Sequence, residues 1–219
     1  MKPKQFHLCL WRLFYLMGFL YWVIPAYAQT NPWKNCDFTV DGIFYDFTSP
    51  TTVAVTYQGF TKDSYGYYRV SGFTGDVIIP SKVTYNSKEY NVTSVGDGAF
   101  IESTVTSVTL PNSIVSIENN AFYDCRQLTT VNLPEESLTT IGNDAFDGCT
   151  NITSIILPEG VTSIGSRCFS DCRSLTSITI PNSVKTIGFN AFSGCMGLTS
   201  VNLSNGLTAI SGSMFYGCI

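Results

Sequence analysis

Histidine is almost missing from this chain: among 219 residues the only one is His7. Charge is scarce as well, with Asp, Glu, Lys and Arg making up 13% of the residues, twelve cations against sixteen anions. Nothing resembles the clustered Lys and Arg that nucleic acid or an anionic membrane surface requires. Long apolar runs are lacking beyond the N-terminus. The single run, Leu13 to Ile24, has 12 uncharged, mostly apolar residues, short of the ~20 that cross a bilayer. Lys2, Lys4 and Arg12 stand before or at its edge, Pro25 breaks it, and Ala26-Tyr27-Ala28 supplies an A-x-A cleavage signature. Residues 1–28 therefore read as a signal peptide cleaved after Ala28. The working chain, residues 29–219, then has nine cations against sixteen anions, a net −7, and no histidine. Ser-His-Asp and Cys-His nucleophile systems, His-ligated zinc and histidine pH switches are excluded from it. No membrane insertion is expected after cleavage.

The second half of the chain is a repeat. Pro111, Pro134, Pro158 and Pro181 are 23, 24 and 23 residues apart. Phe100, Phe122, Phe146, Phe169, Phe192 and Phe215 keep step with them, and Cys125, Cys149, Cys172, Cys195 and Cys218 each follow a Phe by three residues. A period in the twenties means a solenoid, in which each coil buries its apolar face only against its neighbours.

One repeat, Leu175 to Gly197, shows the local logic. Strand alternation turns Ile178 and Ile180 inward and Ser177 and Thr179 outward. Pro181 has no N–H for a ladder, so the strand stops there. Val184 and Ile187 point back to the core from a second extended piece, Gly188 allows a sharp corner, and Ala191, Phe192 and Cys195 fall at helix-like spacing on about one turn. The inward columns run Val108, Val131, Ile155, Ile178, Val201; then Leu110, Leu133, Leu157, Ile180, Leu203; then Ile117, Ile141, Ile164, Ile187, Ile210. Before Pro80 the repeat dissolves into an aromatic-rich segment. Phe38 to Tyr45 reads as a hairpin about Asp41-Gly42, and Val83 to Val92 as a second one. Residues 29–75 suit a β cap over the open end of a solenoid at 76–219.

The unit LTSITIPNSVKTIGFNAFSGC, with the lead-ins FTVDGIFYDF and VIIPSKVTYNSKEYNVTSVGDGAF, resembles the BspA-like leucine-rich repeats of bacterial surface proteins. The resemblance covers about residues 37–219. It implies an α/β, β-dominated leucine-rich-repeat solenoid, a right-handed stack of about six 23-residue coils with an N-terminal β-hairpin cap. It also implies export to the cell surface and adhesion to matrix proteins or other cells, with no catalytic residues to carry over.

Candidate sites follow from what faces out. The outward strand pairs are Ser107/Thr109, Thr130/Asn132, Ser154/Ile156, Ser177/Thr179 and Ser200/Asn202. They form a face without charge or aromatic ring. Small β-favouring residues suit any crowded sheet face, and a partner-binding role is the functional alternative. Tyr65, Tyr67 and Tyr68 offer adaptable contact surface, or cap packing. The cysteine column reads first as packing, since free Cys fills a small apolar slot; neighbouring disulfides stay open as an alternative. Glu135-Glu136 lies on a solvated turn rather than across a cleft, as glycosidase chemistry would need. The chain reads as a non-enzymatic binding protein with no cofactor or metal. Its partners would be an extracellular protein or glycan and no nucleic acid. The alternative is a structural subunit that associates end to end through an uncapped last coil.

Overall fold

The computed structural model describes residues 36–63, 66–70, 72–208 and 210–218; the leader and its cleavage signature lie outside them. The chain starts with a hairpin of β1 (Phe38–Val40) and β2 (Ile43–Phe47), paired Phe38 to Tyr45 and Val40 to Ile43. Asp41 and Gly42 between them take φ of 48° and 82°, the left-handed pair that a two-residue turn needs to match strand twist. β3 (Thr52–Thr56) adds antiparallel to β2, and β4 (Gly59–Asp63) pairs with β5 (Gly66–Val70) as a separate hairpin. The second expected hairpin is β7 (Lys82–Tyr85) with β8 (Lys88–Val95), turning at Asn86 and Ser87, whose φ values are 50° and 62°.

From there successive coils stack through three ladders. A side sheet stacks β8, β10 (Ser116–Ile117), β12 (Thr140–Ile141), β13 (Ser163–Ile164) and β15 (Thr186–Ile187) in parallel, with Ile117, Ile141, Ile164 and Ile187 in register. The cap joins this sheet directly, because β3 pairs parallel with β8. A front sheet stacks β6 (Thr74–Ile78), β9 (Thr104–Thr109) and β11 (Thr130–Asn132), then resumes with a bridge from Ser154 to Ser177 and the pair β14 (Ser177–Thr179) and β16 (Ser200–Asn202). The break falls after β11, in the one repeat that carries an extra residue, at Glu135-Glu136. The side sheet passes the same repeat without interruption.

The third side is not helical; no α-helix occurs among the described residues. The N–H of each Phe reaches the next coil instead: Phe100 donates to Ala121, Phe122 to Ala145, Phe146 to Cys168 and Phe169 to Ala191 at 2.7–2.8 Å. Left-handed residues two before and two after the Phe, such as Asn120 and Asp124 (φ 54° and 56°), aim these groups along the stack. A helical turn would have spent them locally.

Between the ladders lies one continuous core. The rings of Phe100, Phe122, Phe146, Phe169, Phe192 and Phe215 stack with centroid separations of 4.8 to 5.6 Å and interplanar angles of 13° or less. The cap extends the column through Phe73, 4.5 Å from Phe100, and Phe44, 5.3 Å from Phe73. The expected inward columns are buried in the middle coils. Val131, Leu133 and Val201 are half-buried, while Leu203 and Ile210 of the last described coil are 41% and 64% exposed, since no described residue packs beyond them.

All seven described cysteines are free thiols. The Cys column packs in the core and adds hydrogen bonds that the spacing did not reveal. Cys125, Cys149, Cys172, Cys195 and Cys218 donate to the carbonyls of Phe100, Phe122, Phe146, Phe169 and Phe192, one coil back, at 2.8–3.2 Å.

Candidate functional site

The front sheet places the sequence-derived candidates in two rows. Strand pairing aligns Asp76, Ser107 and Thr130 in one row and Ile78, Thr109 and Asn132 in the other. Beyond the break, Ser177 aligns with Ser200 and Thr179 with Asn202, and Ser154 joins through its bridge to Ser177. Ser107 and Thr109 are half-buried, and the remaining candidates on these rows are exposed. The two apolar members stand well out of the face: Ile78 is 74% and Ile156 is 86% exposed. Ile156 stands where the front sheet is interrupted.

Two features of this face escaped the sequence reading. The face is not free of charge. β6 enters it as the first strand and brings Asp76, whose carboxylate accepts from Thr106 Oγ1 at 2.6 Å and Ser107 Oγ at 2.7 Å. Those two hydroxyls hold the carboxyl below its ordinary range. A strand beginning Thr-Gly-Asp, with a register shift between Gly75 and Asp76, lacks the opening that marks the others, an apolar residue, Thr, then Ser or Thr.

The second feature divides the hydroxyls into two groups. The Thr preceding three of the outward positions is spent on the fold: Thr129, Thr176 and Thr199 donate to the carbonyls of Thr106, Thr153 and Thr176, one coil back, at 3.0–3.3 Å. The hydroxyls of Thr130, Ser154, Ser177, Thr179 and Ser200 have no hydrogen-bond partner among the described residues. Asn132 makes only a 3.4 Å contact with Thr109 Oγ1. The face is therefore an exposed array of donor–acceptor hydroxyls and amides, with two apolar projections and one carboxylate at its first edge. It can dock a surface by shape and hydrogen bonding, and no cluster of His, Cys, Asp or Glu that could hold a metal occurs among the described residues.

Of the tyrosines, Tyr67 and Tyr68 lie on β5, opposite Lys62 and Thr61. Tyr65 and the side chains of Tyr67 and Tyr68 lie outside the described residues. Arginines and acids pair on the Phe side of the coils: Arg126 with Asp124, Arg167 with Asp144 and Asp147, and Arg173 with Asp171. Burial lifts the Asp147 carboxyl above its ordinary value although Arg167 donates to it.

Comparison with known proteins gives a consistent picture. The profile of the BspA type leucine rich repeat region matches residues 93–219 in six copies. A leucine-rich repeat protein from Bacteroides ovatus superposes with a TM-score of 0.72 at 34% identity, over 83% of this chain and 45% of its own. The pneumococcal vaccine antigen PcpA superposes at 0.59 and 25% identity, over 77% of this chain and 50% of its own. A leucine rich cell surface protein from Faecalibacterium prausnitzii does so at 0.50 and 25%, over 75% of this chain and 53% of its own. The chain thus spans about half the length of these structures. No curated protein matches it.

Proposed function

The chain belongs to the BspA-type leucine-rich repeat family, and from that premise we propose that it is an exported, non-catalytic binding protein of the cell surface. The leader at residues 1–28 would direct export, and the similarity to a leucine rich cell surface protein and to a pneumococcal vaccine antigen supports that location. Residues 29–75 serve as the cap and 76–219 as the solenoid that carries the contact surface. The observation that carries the reading is the row of hydroxyls on the front sheet, those of Thr130, Ser154, Ser177, Thr179 and Ser200, without a partner among the described residues and beside the exposed Ile156. The partner is an extracellular protein or glycan, met through Ser107, Thr109, Thr130, Asn132, Ser154, Ile156, Ser177, Thr179, Ser200 and Asn202, with Tyr65, Tyr67 and Tyr68 as a second contact. Nucleic acid is disfavoured by the negative net charge. The mechanism of this reading is association alone, by shape and hydrogen bonding. Binding of purified protein to arrayed matrix proteins and glycans tests it, with Ser177→Arg/Thr179→Arg as the blocking variant: saturable binding lost in the variant is the expected result.

A second reading has its own observation. The last described coil leaves Leu203, Ile210 and Tyr216 exposed beside an apolar hollow of about 220 Å³ lined by Leu198, Val201, Phe215 and Cys218. End-to-end stacking of two copies would cover it. Light scattering decides: stacking requires oligomers that disappear when a capping repeat is fused after the last coil.

A further inference from the structure

The side sheet carries a second surface feature that the proposed function does not use. On its outer face, Gly142 and Gly165 stand where the preceding coil has Glu118. A Cβ on Gly142 would lie 2.6 Å from the Glu118 carbonyl carbon, and one on Gly165 would lie 2.3 Å from that of Gly142. The coils approach too closely there for any side chain, so the glycines leave an open trough of about 360 Å³ over three coils. Close packing explains the floor, but it does not explain the walls.

One wall is a row of hydroxyls, Ser116, Thr140 and Ser163, none of which has a hydrogen-bond partner among the described residues. The other is a row of amides. Asn119 Oδ1 accepts from the Asn143 N–H and Asn143 Oδ1 from the Ser166 N–H, both at 2.8 Å. Because each Oδ1 is held by a backbone donor, each amide is fixed with its Nδ2 as a donor free for a ligand. Glu118 closes one end of the trough, where partial desolvation raises its carboxyl above the ordinary range although the Asp97 backbone and the Ser94 hydroxyl hydrogen-bond it. Along the amide row, one coil beyond Ser166, Phe189 holds a ring that is 53% exposed, its N–H donating to Ser166 Oγ at 3.2 Å.

We propose that this trough is a binding site for a neutral oligosaccharide, with the hydroxyl and amide rows hydrogen-bonding its hydroxyls, Glu118 accepting at one end and the Phe189 ring packing against a sugar face at the other. Polyhydroxylated ligands need donors and acceptors at close intervals, and parallel coils supply a fresh pair every ~4.8 Å. From Glu118 to Phe189 the row crosses three such intervals, a length that takes a short oligosaccharide. The single carboxylate and the absence of any cation among the lining residues disfavour sulfated or uronic chains. The site goes beyond the proposed function, since it lies on a different sheet from the front face and the two are separable by mutation.

Titration of the purified protein with cellohexaose, maltohexaose and mannohexaose tests the proposal, with a sulfated hexasaccharide as control. Saturable binding to at least one neutral hexamer is expected, with Kd weakened tenfold or more in Thr140→Arg/Ser163→Arg and several-fold in Glu118→Gln and Phe189→Ala. Glu118→Gln is isosteric and keeps the test valid should the arginine pair disturb folding. The front-face variant Ser177→Arg/Thr179→Arg should bind the hexamer as tightly as the parent. No saturable binding by folded protein overturns the proposal, as does preference for the sulfated control or binding that survives all the trough variants. Loss in the front-face variant alone would also overturn it and would return the glycan to the front sheet.

Discussion

Cys172 is fully buried, and its thiol donates to Phe146 O at 3.2 Å. Its column thus fills space and brings a second donor to one carbonyl per coil, Phe146 O already accepting from the Cys149 N–H at 3.2 Å. Removing the thiol forfeits that second bond, worth about 0.5–1.5 kcal/mol, and loosens the packing around it. Cys172→Ala should therefore lower stability by at least that much in urea melts, and Cys172→Ser should do less damage because it keeps a donor. Ser103, buried at the equivalent position of the first coil and 3.3 Å from Cys125 Sγ, is the native precedent. Burial, the largest influence on each, lifts the thiols of Cys149, Cys168 and Cys172 well above the ordinary value and that of Cys195 to about 12. Unfolded thiols ionise near pH 8.5, so above that the unfolded chain loses protons the folded chain keeps. The stabilising contribution is whole below pH 8.5 and falls as pH climbs toward 12. Melting temperature should decline across that window, and a thiol reagent at pH 8 should modify half-buried Cys218 well before Cys125, Cys149, Cys172 or Cys195. The sequence spacing identified this column as core; the bond to the carbonyl could not be read from it, since it depends on where the neighbouring coil places its backbone.

Among the elements, the corner after each side-sheet strand leaves least room. Gly165→Ala would press a methyl against the Gly142 carbonyl carbon and the Asn143 nitrogen at 2.3–2.4 Å, and overpacking of that kind costs about 1–3 kcal/mol or more. A fall in melting temperature of at least ~2–4 °C is expected for a chain of this size; an unchanged melt would refute the close approach of the coils. Elements with local chemistry were legible beforehand. The turn at Asp41-Gly42 announced itself by residue type, and the Val83–Val92 segment by alternation, because those signals need no partner elsewhere in the chain. Elements fixed by their neighbours were not. β6 has Gly75 and Asp76 where β9 carries Val105 and Ser107, and only pairing with β9 brings Asp76 onto the front face. The helix-like Ala-Phe-Cys spacing likewise gave way to left-handed turns, since the N–H groups bond to the next coil. The trough beside Glu118 was equally invisible, being a row of absent side chains seen only once coils are stacked.

At the scale of the whole molecule, stability rests on contacts between successive coils, and the Phe column runs through all of them. Phe146 has rings on both sides, at 5.0 and 5.4 Å, whereas half-buried Phe215 has one, at 5.6 Å. Phe146→Ala should cost about 3–5 kcal/mol, and Phe215→Ala distinctly less, as chemical denaturation would report. What the stack displays outward is the functional claim. The periodicity named the front-face residues correctly as outward, yet it could not separate hydroxyls spent on the coil below from those left free. That distinction makes one direct measurement decisive: binding of the purified protein, and of Ser177→Arg/Thr179→Arg confirmed as folded, to an array of extracellular-matrix proteins and glycans. The account predicts saturable binding to at least one protein or glycan that the double variant loses. Binding unchanged by the two arginines, or no binding from folded protein, would contradict a receptor role for the front sheet.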